Sequence, residues 1–117
     1  MSDLTILHNP RCSKSRATKQ LLDENGADYT TVEYLKDTPS REQLENILKL
    51  LGYAPRELMR KGEAVYKEKN LSDESLTDDQ LIDAMLENPI LIERPIVVHG
   101  DRAVIGRPPE NVLELLK

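Results

Sequence analysis

A chain of 117 residues is long enough for one hydrophobic core and too short for two, so a single domain over 1–117 is expected. Hydrophobic residues at 38% and charged ones at 32%, spread along the length, exclude a disordered chain and suit a soluble globule. The net charge of −5, with no Trp, no Phe and four Tyr, argues against nucleic-acid binding; no apolar run nears the roughly 20 residues that span a bilayer, and "MSDLTILHNP" lacks a signal-peptide layout, so a cytoplasmic protein without membrane partners is expected.

"LTILH" (4–8) is a short apolar run stopped by Asn9-Pro10, which predicts a strand. Ala17, Leu21 and Leu22 fall at helical spacing from Ser13 onward and Gly26 supplies a stop, predicting a helix over about 13–25 with Cys12 at its N-terminus. "YTTVEYL" (29–35) reads as a second strand, parallel to the first through a right-handed crossover. Thr38-Pro39 reads as a cap followed by proline at the first helical position, and Leu44, Ile47, Leu48 and Leu51 make one face up to Gly52. Residues 55–60 form a short helical piece, while 61–76 mix charge and turn formers without a clear period. Thr77 with Gln80 makes a capping box ahead of Leu81, Ile82, Met85 and Leu86, and Asn88-Pro89 ends that helix. "PIVVHGDRAVIG" (95–106) predicts a hairpin around His99-Gly100-Asp101, and "PENVLELLK" a closing helix. The order βαβ, helical segment, ββα implies an α/β fold with a mixed sheet covered by helices. It resembles the thioredoxin and glutaredoxin fold with helices inserted between the two halves; fold alone does not give function.

Cys12 is the one cysteine, in the polar, basic stretch "HNPRCSKSR" (8–16). It cannot form an internal disulfide, so a reduced thiol is the expected resting form. At a helix N-terminus beside Arg11, Lys14 and Arg16, a thiol pKa can fall from about 8.5 to roughly 3.5–7.5, and the same amides and dipole attract an oxyanion. The alternative, a small buried filler, sits badly with these neighbours. Cys12-Ser13-Lys14-Ser15 is C-x-x-S, without the second cysteine that resolves a mixed disulfide, so an outside thiol must release any intermediate. A phosphatase-type loop is excluded because Thr18 stands where its arginine belongs, and with His8 and His99 as the two imidazoles no metal site is expected. His8 is a candidate for tuning the thiol and equally for a structural role.

"HNPRCSKSR" resembles the active-site segment of the glutaredoxin-coupled arsenate reductase family, in particular a subgroup carrying "NPRCSKSR" and "ERPIVV". The likeness covers essentially the whole chain, with further marks at "ELMRKGEAVYKE" (Arg60), "LIERPIVV" (Arg94-Pro95) and "IGRPPENVLELL" (Arg107-Pro108). The resemblance implies that Cys12 attacks arsenate, that Arg60, Arg94 and Arg107 hold the oxyanion, and that Pro95 is the cis proline of thioredoxin-like folds. Guanidiniums suit this role, since they stay charged and donate paired hydrogen bonds to a tetrahedral anion. Supporting roles fall to Asn9 and Ser15, which shape the loop, with Ser15 a hydrogen-bond donor to the sulfur, and to Arg16 near the thiolate.

The implied activity is reduction of arsenate to arsenite through a covalent adduct on Cys12, with glutathione as co-substrate, glutaredoxin as protein partner and no bound cofactor. Two other readings stand beside it. One is a glutathione-dependent thiol oxidoreductase acting on another substrate. The other is a non-catalytic regulator of the same fold that binds RNA polymerase, from which Ser15 removes the C-x-x-C switch that some such proteins use.

Overall fold

A computed structural model describes residues 4–116, which group into two compact units: one holds the residues up to Asp37 and those from Arg94 onward, the other Thr38–Glu93. Met1, Ser2, Asp3 and Lys117, the last residue of the expected closing helix, lie outside the described residues.

The first unit carries β1 (Leu4–Leu7), α1 (Ser13–Glu24), β2 (Thr30–Val32), β3 (Ile96–His99), β4 (Arg102–Ile105) and a 3₁₀ helix, Pro109–Leu116. The sheet order is β2-β1-β3-β4, with β1 parallel to β2 and antiparallel to β3, so the expected mixed sheet is present. Leu4 and Ile6 alternate with Thr5 and share a face with Val97, where they meet Leu22 of α1 and Val112 and Leu115 of the 3₁₀ helix. Each such aliphatic side chain, once buried, contributes about 1.5–3 kcal/mol. One face of the sheet is thereby covered by α1 and the C-terminal segment.

The helix α1 ends in a Schellman arrangement: Gly26 N–H donates to Asp23 O (3.1 Å) and Ala27 N–H to Leu22 O (3.0 Å), with Gly26 at φ 66 where a side chain would be strained. The hairpin turns through Gly100 and Asp101 between the paired residues His99 and Arg102, and Gly100, at φ 62, takes the first position of the two-residue loop. The chain end is tied back to this hairpin, because Leu115 O lies 2.9 Å from His99 Nδ1 and accepts from Arg102 Nη2 at 3.2 Å.

Two sequence expectations change in this unit. The second strand stops at Val32, since Glu33 O accepts from both Lys36 N–H and Asp37 N–H (2.9 Å each) in a turn that buries Tyr34 completely. The closing segment is 3₁₀ rather than α, with Val112 and Leu115 three apart and both buried.

The second unit holds α2 (Arg41–Leu51), a 3₁₀ turn (Pro55–Leu58), α3 (Ala64–Glu68), α4 (Asp78–Glu87) and a 3₁₀ turn (Pro89–Leu91). The cap of α2 is Ser40, not Thr38: Ser40 Oγ accepts from Gln43 N–H (3.1 Å) while Gln43 Oε1 accepts from Ser40 N–H (2.8 Å). That reciprocal pair satisfies two donors at once, which Thr38-Pro39 does not offer. Thr77 and Gln80 cap α4 in the same way, as expected, and Leu81, Ile82, Ala84 and Met85 are its buried face. The unperiodic stretch 61–76 folds around Arg56, whose guanidinium donates to Tyr66 Oη (3.2 Å), Asp73 O (3.0 Å) and Leu71 O. A short antiparallel bridge, Met59 with Ile92, is flanked by Arg60 N–H to Leu91 O (2.7 Å) and Glu93 N–H to Leu58 O (2.8 Å).

Candidate active site

The loop after β1 places the sulfur. His8 N–H still donates to Val32 O (2.8 Å), Cys12 N–H turns back onto Asn9 O (3.0 Å), and Cys12 O accepts the first helical hydrogen bond from Arg16 N–H (3.0 Å). Cys12 is thus the N-cap of α1, in extended conformation at φ −94, ψ 123, and half-buried. The loop is held from inside by a buried polar set. Ser15 Oγ accepts from Asn9 N–H (3.0 Å) and lies 2.6 Å from His8 Nδ1, while Asn9 Oδ1 accepts from Arg11 N–H (3.0 Å). Burial, with the charges of Lys19 and Arg16, lowers the His8 pKa below 6.5 against the opposing pull of Glu33. His8 is neutral near pH 7, and in its Nε2–H tautomer it accepts the Ser15 hydroxyl proton.

Two strands of the sheet deliver cations to this loop. Leu7 pairs with Ile96 and Ile96 with Ile105, so the residues just before β3 and just after β4 sit past the end of β1. Arg94-Pro95 and Arg107-Pro108 are those residues, and both peptide bonds are cis, the first as the resemblance implies. Arg107 Nη2 donates to Cys12 Sγ at 3.4 Å and its Nε to Arg94 O at 2.8 Å, and the Arg94 side chain also hydrogen-bonds the sulfur. Burial pushes the Cys12 thiol up; the backbone N–H of Ser15, the Arg94 side chain, the backbone N–H of Lys14 and the charge of Arg107 outweigh it, and the net pKa is below the ordinary thiol value. The thiolate is therefore more favoured here than in an ordinary thiol.

These contacts revise three sequence expectations. The Ser15 hydroxyl turns to His8 and Asn9, so what Ser15 does for the thiol is lower its pKa through the backbone N–H and not through the hydroxyl. Arg16 commits Nη1 to Pro10 O (3.0 Å), bracing the loop, and its charge acts on His8. The guanidiniums at the sulfur come from Arg94 and Arg107, remote in sequence, and not from the adjacent basic residues.

Arg60 belongs to the second unit. Its Nε donates to Glu63 Oε2 (3.2 Å) and its Nη1 to Glu93 Oε1 (2.7 Å). Burial lowers its pKa, but the two carboxylates prevail and raise it, so it stays cationic. The structure gathers Cys12, Arg94, Arg107, Pro95, His8, Asn9, Ser15 and Arg16 in the first unit. The carboxylate partners of Arg60 were not foreseen, although Glu63 at i+3 and Glu93 next to Arg94 were visible as acids beside expected site arginines. Among the described residues there is no group of three or more His, Cys, Asp or Glu that could hold a metal ion. What the first unit can do chemically is present a half-buried thiolate, ringed by amides and guanidiniums, to a tetrahedral oxyanion.

The chain is similar in sequence to curated relatives and in fold to solved structures. The sequence is 54% identical over 112 residues, 95% of its length and 94% of the relative's, to an uncharacterised protein of Escherichia coli (strain K12), YfgD. It is 44% identical over 116 residues, 99% of its length and 82% of the relative's, to an arsenate reductase of Acidiphilium multivorum. A solved structure of an arsenate reductase from Vibrio cholerae matches with a TM-score of 0.93 at 50% identity, covering 96% of each chain. The mixed sheet and its helices match the thioredoxin-like architecture of such structures. The ArsC family model matches residues 7–115, and the chain belongs to that family.

Proposed function

We propose that this protein reduces arsenate to arsenite, with Cys12 as nucleophile and thiols from outside the chain as the source of electrons. The observation that carries the reading is the Cys12 sulfur itself, at the N-terminus of α1 with the Arg107 Nη2 donating to it at 3.4 Å, and with its pKa lowered by the Ser15 and Lys14 amides and by Arg94 and Arg107. Donors that stabilise a thiolate also bind the oxygens of an incoming oxyanion.

The Cys12 thiolate attacks arsenic, a bond from sulfur to arsenic forms, and one oxygen leaves as water after protonation; arsenic remains +5. Glutathione displaces a second oxygen as water, leaving arsenic bonded to two sulfurs. A glutaredoxin thiolate then attacks the glutathione sulfur. The electron pair of that arsenic–sulfur bond stays on arsenic, which falls to +3, and glutaredoxin and glutathione leave as a mixed disulfide. Water cleaves the remaining bond to Cys12, releasing arsenite and the resting thiolate. C-x-x-S fits this division of labour, since the chain supplies one sulfur and the solution the others. Glutathione is a co-substrate, glutaredoxin the partner, and the reducing cytoplasm the setting; among the described residues no helix is long and apolar enough to cross a membrane. Arg94 and Arg107 hold the oxyanion in this scheme, while a like role for Arg60 rests on the family resemblance alone.

The test is turnover of arsenate by purified protein with glutathione, glutaredoxin and an NADPH-consuming recycling system. Arsenate-dependent NADPH oxidation is expected, and Cys12→Ser abolishes it. Activity that survives this substitution removes Cys12 as the nucleophile; disulfide reduction indifferent to arsenate replaces the reading with a thiol oxidoreductase.

A further inference from the structure

The loop around Cys12 is held from within α1, whereas Arg107 reaches the sulfur from the far end of the hairpin, and one residue before Arg107 the backbone passes through a narrow gap. Gly106 is buried there. Its N–H donates to Pro95 O at 3.0 Å, and its carbonyl lies 3.4 Å from the hydroxyl of Thr18, a fully buried residue on α1 whose Oγ1 also donates to Lys14 O at 2.9 Å. A Cβ on Gly106 would overlap Thr18 Oγ1 and lie 2.8 Å from Pro95 Cγ and 3.1 Å from Thr18 Cγ2. Pro95 on one side and a helix on the other leave no room to yield, because interiors are close-packed. Any side chain at 106 must push the backbone away from α1, and Arg107 is the next residue along that backbone.

We infer that Thr18 and Gly106 are positioning residues that seat the Arg107 guanidinium against the Cys12 sulfur. The Thr18 hydroxyl gives its proton to Lys14 O in the first turn of α1 and packs against Gly106 and its carbonyl (3.4 Å), so the strand end that leads into Arg107 is registered against the helix N-terminus. Neither residue touches the sulfur; both act through the placement of Arg107. The inference rests on the arsenate reading for one of its two readouts and on the sulfur alone for the other.

The experiment measures, for the full chain, the pH dependence of Cys12 alkylation by iodoacetamide and kcat/KM for arsenate. Gly106→Ala is expected to move the alkylation midpoint upward to that of Arg107→Ala, and the double substitution moves it no further than Arg107→Ala does. Arsenate kcat/KM falls about tenfold or more, short of the roughly 100-fold or greater loss for deleting an oxyanion donor. A folded Gly106→Ala protein with the parent's midpoint overturns the inference. Thr18→Ala, which a helix accepts, decides the matter if Gly106→Ala does not fold: it raises the midpoint while Thr18→Ser, which keeps the hydroxyl, restores it. Identical profiles for the parent, Thr18→Ala and Thr18→Ser overturn the inference. If the parent itself fails to turn over arsenate, the functional reading fails and the alkylation arm still tests the positioning.

Discussion

Replacing Arg107 separates its two duties. Its Nη2 donates to Cys12 Sγ at 3.4 Å and its Nε is anchored on Arg94 O at 2.8 Å, so the guanidinium steadies the thiolate and, on the proposed reading, also meets an oxyanion attacked by that sulfur. A hydrogen bond to a charged group is worth about 1.5–3 kcal/mol, and at about 1.4 kcal/mol per tenfold that is roughly 10- to 150-fold. Loss of one oxyanion donor in other enzymes costs about 100- to 1,000-fold in kcat. The ranges overlap near 100-fold, the loss in kcat/KM expected for Arg107→Ala in the coupled arsenate assay. Arg107→Lys keeps the charge but loses the fork that lets one nitrogen anchor while another donates, and a loss of about tenfold is expected. The sign at the sulfur follows from charge. Removing a cation that lowers the thiol pKa moves the alkylation midpoint up, so Arg107→Ala reacts more slowly than the parent below that midpoint and modestly faster well above it, where both are fully ionised and the more basic thiolate is the better nucleophile. An Arg107→Ala protein with the parent's kcat/KM and the parent's midpoint would refute the placement of Arg107 at the reacting atoms.

The buried His8 gives an acid-side prediction. Its folded pKa lies below 6.5, so between the two values the unfolded chain binds the extra proton; stability is full above about pH 6.5 and declines as pH falls through the folded value. His8→Gln lacks this component, and the difference between urea unfolding at about pH 7.5 and about pH 5 should shrink; an unchanged difference would count against a buried neutral imidazole. At the start of α2, Ser40→Ala should cost about 1 kcal/mol in urea unfolding. Thr38→Ala, on an exposed residue outside the box, should stay within about 0.5 kcal/mol, and the reverse ranking would contradict the observed cap.

Sequence patterns were most informative where a local rule had one solution. Gly26 closing α1, Thr77 with Gln80 opening α4 and His99-Gly100-Asp101 turning the hairpin each satisfy backbone groups within a few residues, so the pattern and the outcome coincide. Thr38-Pro39 misled because two cap signals lay within three residues, and Ser40-x-x-Gln43, the one able to pair reciprocally, prevailed. The 3₁₀ character of Pro109–Leu116 was not legible, since apolar residues three and four apart fit either helix over so short a run. At the site, Cys12 at a helix start followed from spacing, whereas Arg94 and Arg107 came from resemblance. What brings them to the sulfur is the strand register Leu7, Ile96, Ile105, a pairing that no local pattern encodes. The tight passage at Gly106 depends on three elements at once and left no trace beyond a glycine before an arginine.

The lowered thiol pKa bears on the last step of the proposed cycle as well as the first. A thiolate stabilised by Arg94, Arg107 and two amides is more abundant at neutral pH but less nucleophilic per molecule, since reactivity falls with pKa with a slope of about 0.4–0.5. Attack therefore gains abundance and gives back only part of it. Leaving is different: the lower the pKa of a sulfur, the faster it departs, so release of arsenite from Cys12 gains outright from the same four donors. A half-buried position is what this cycle requires. Deep burial, already the factor that pushes the Cys12 thiol up, would cancel the donors and shut out glutathione, while full exposure would let water screen Arg107 and Arg94 from the sulfur.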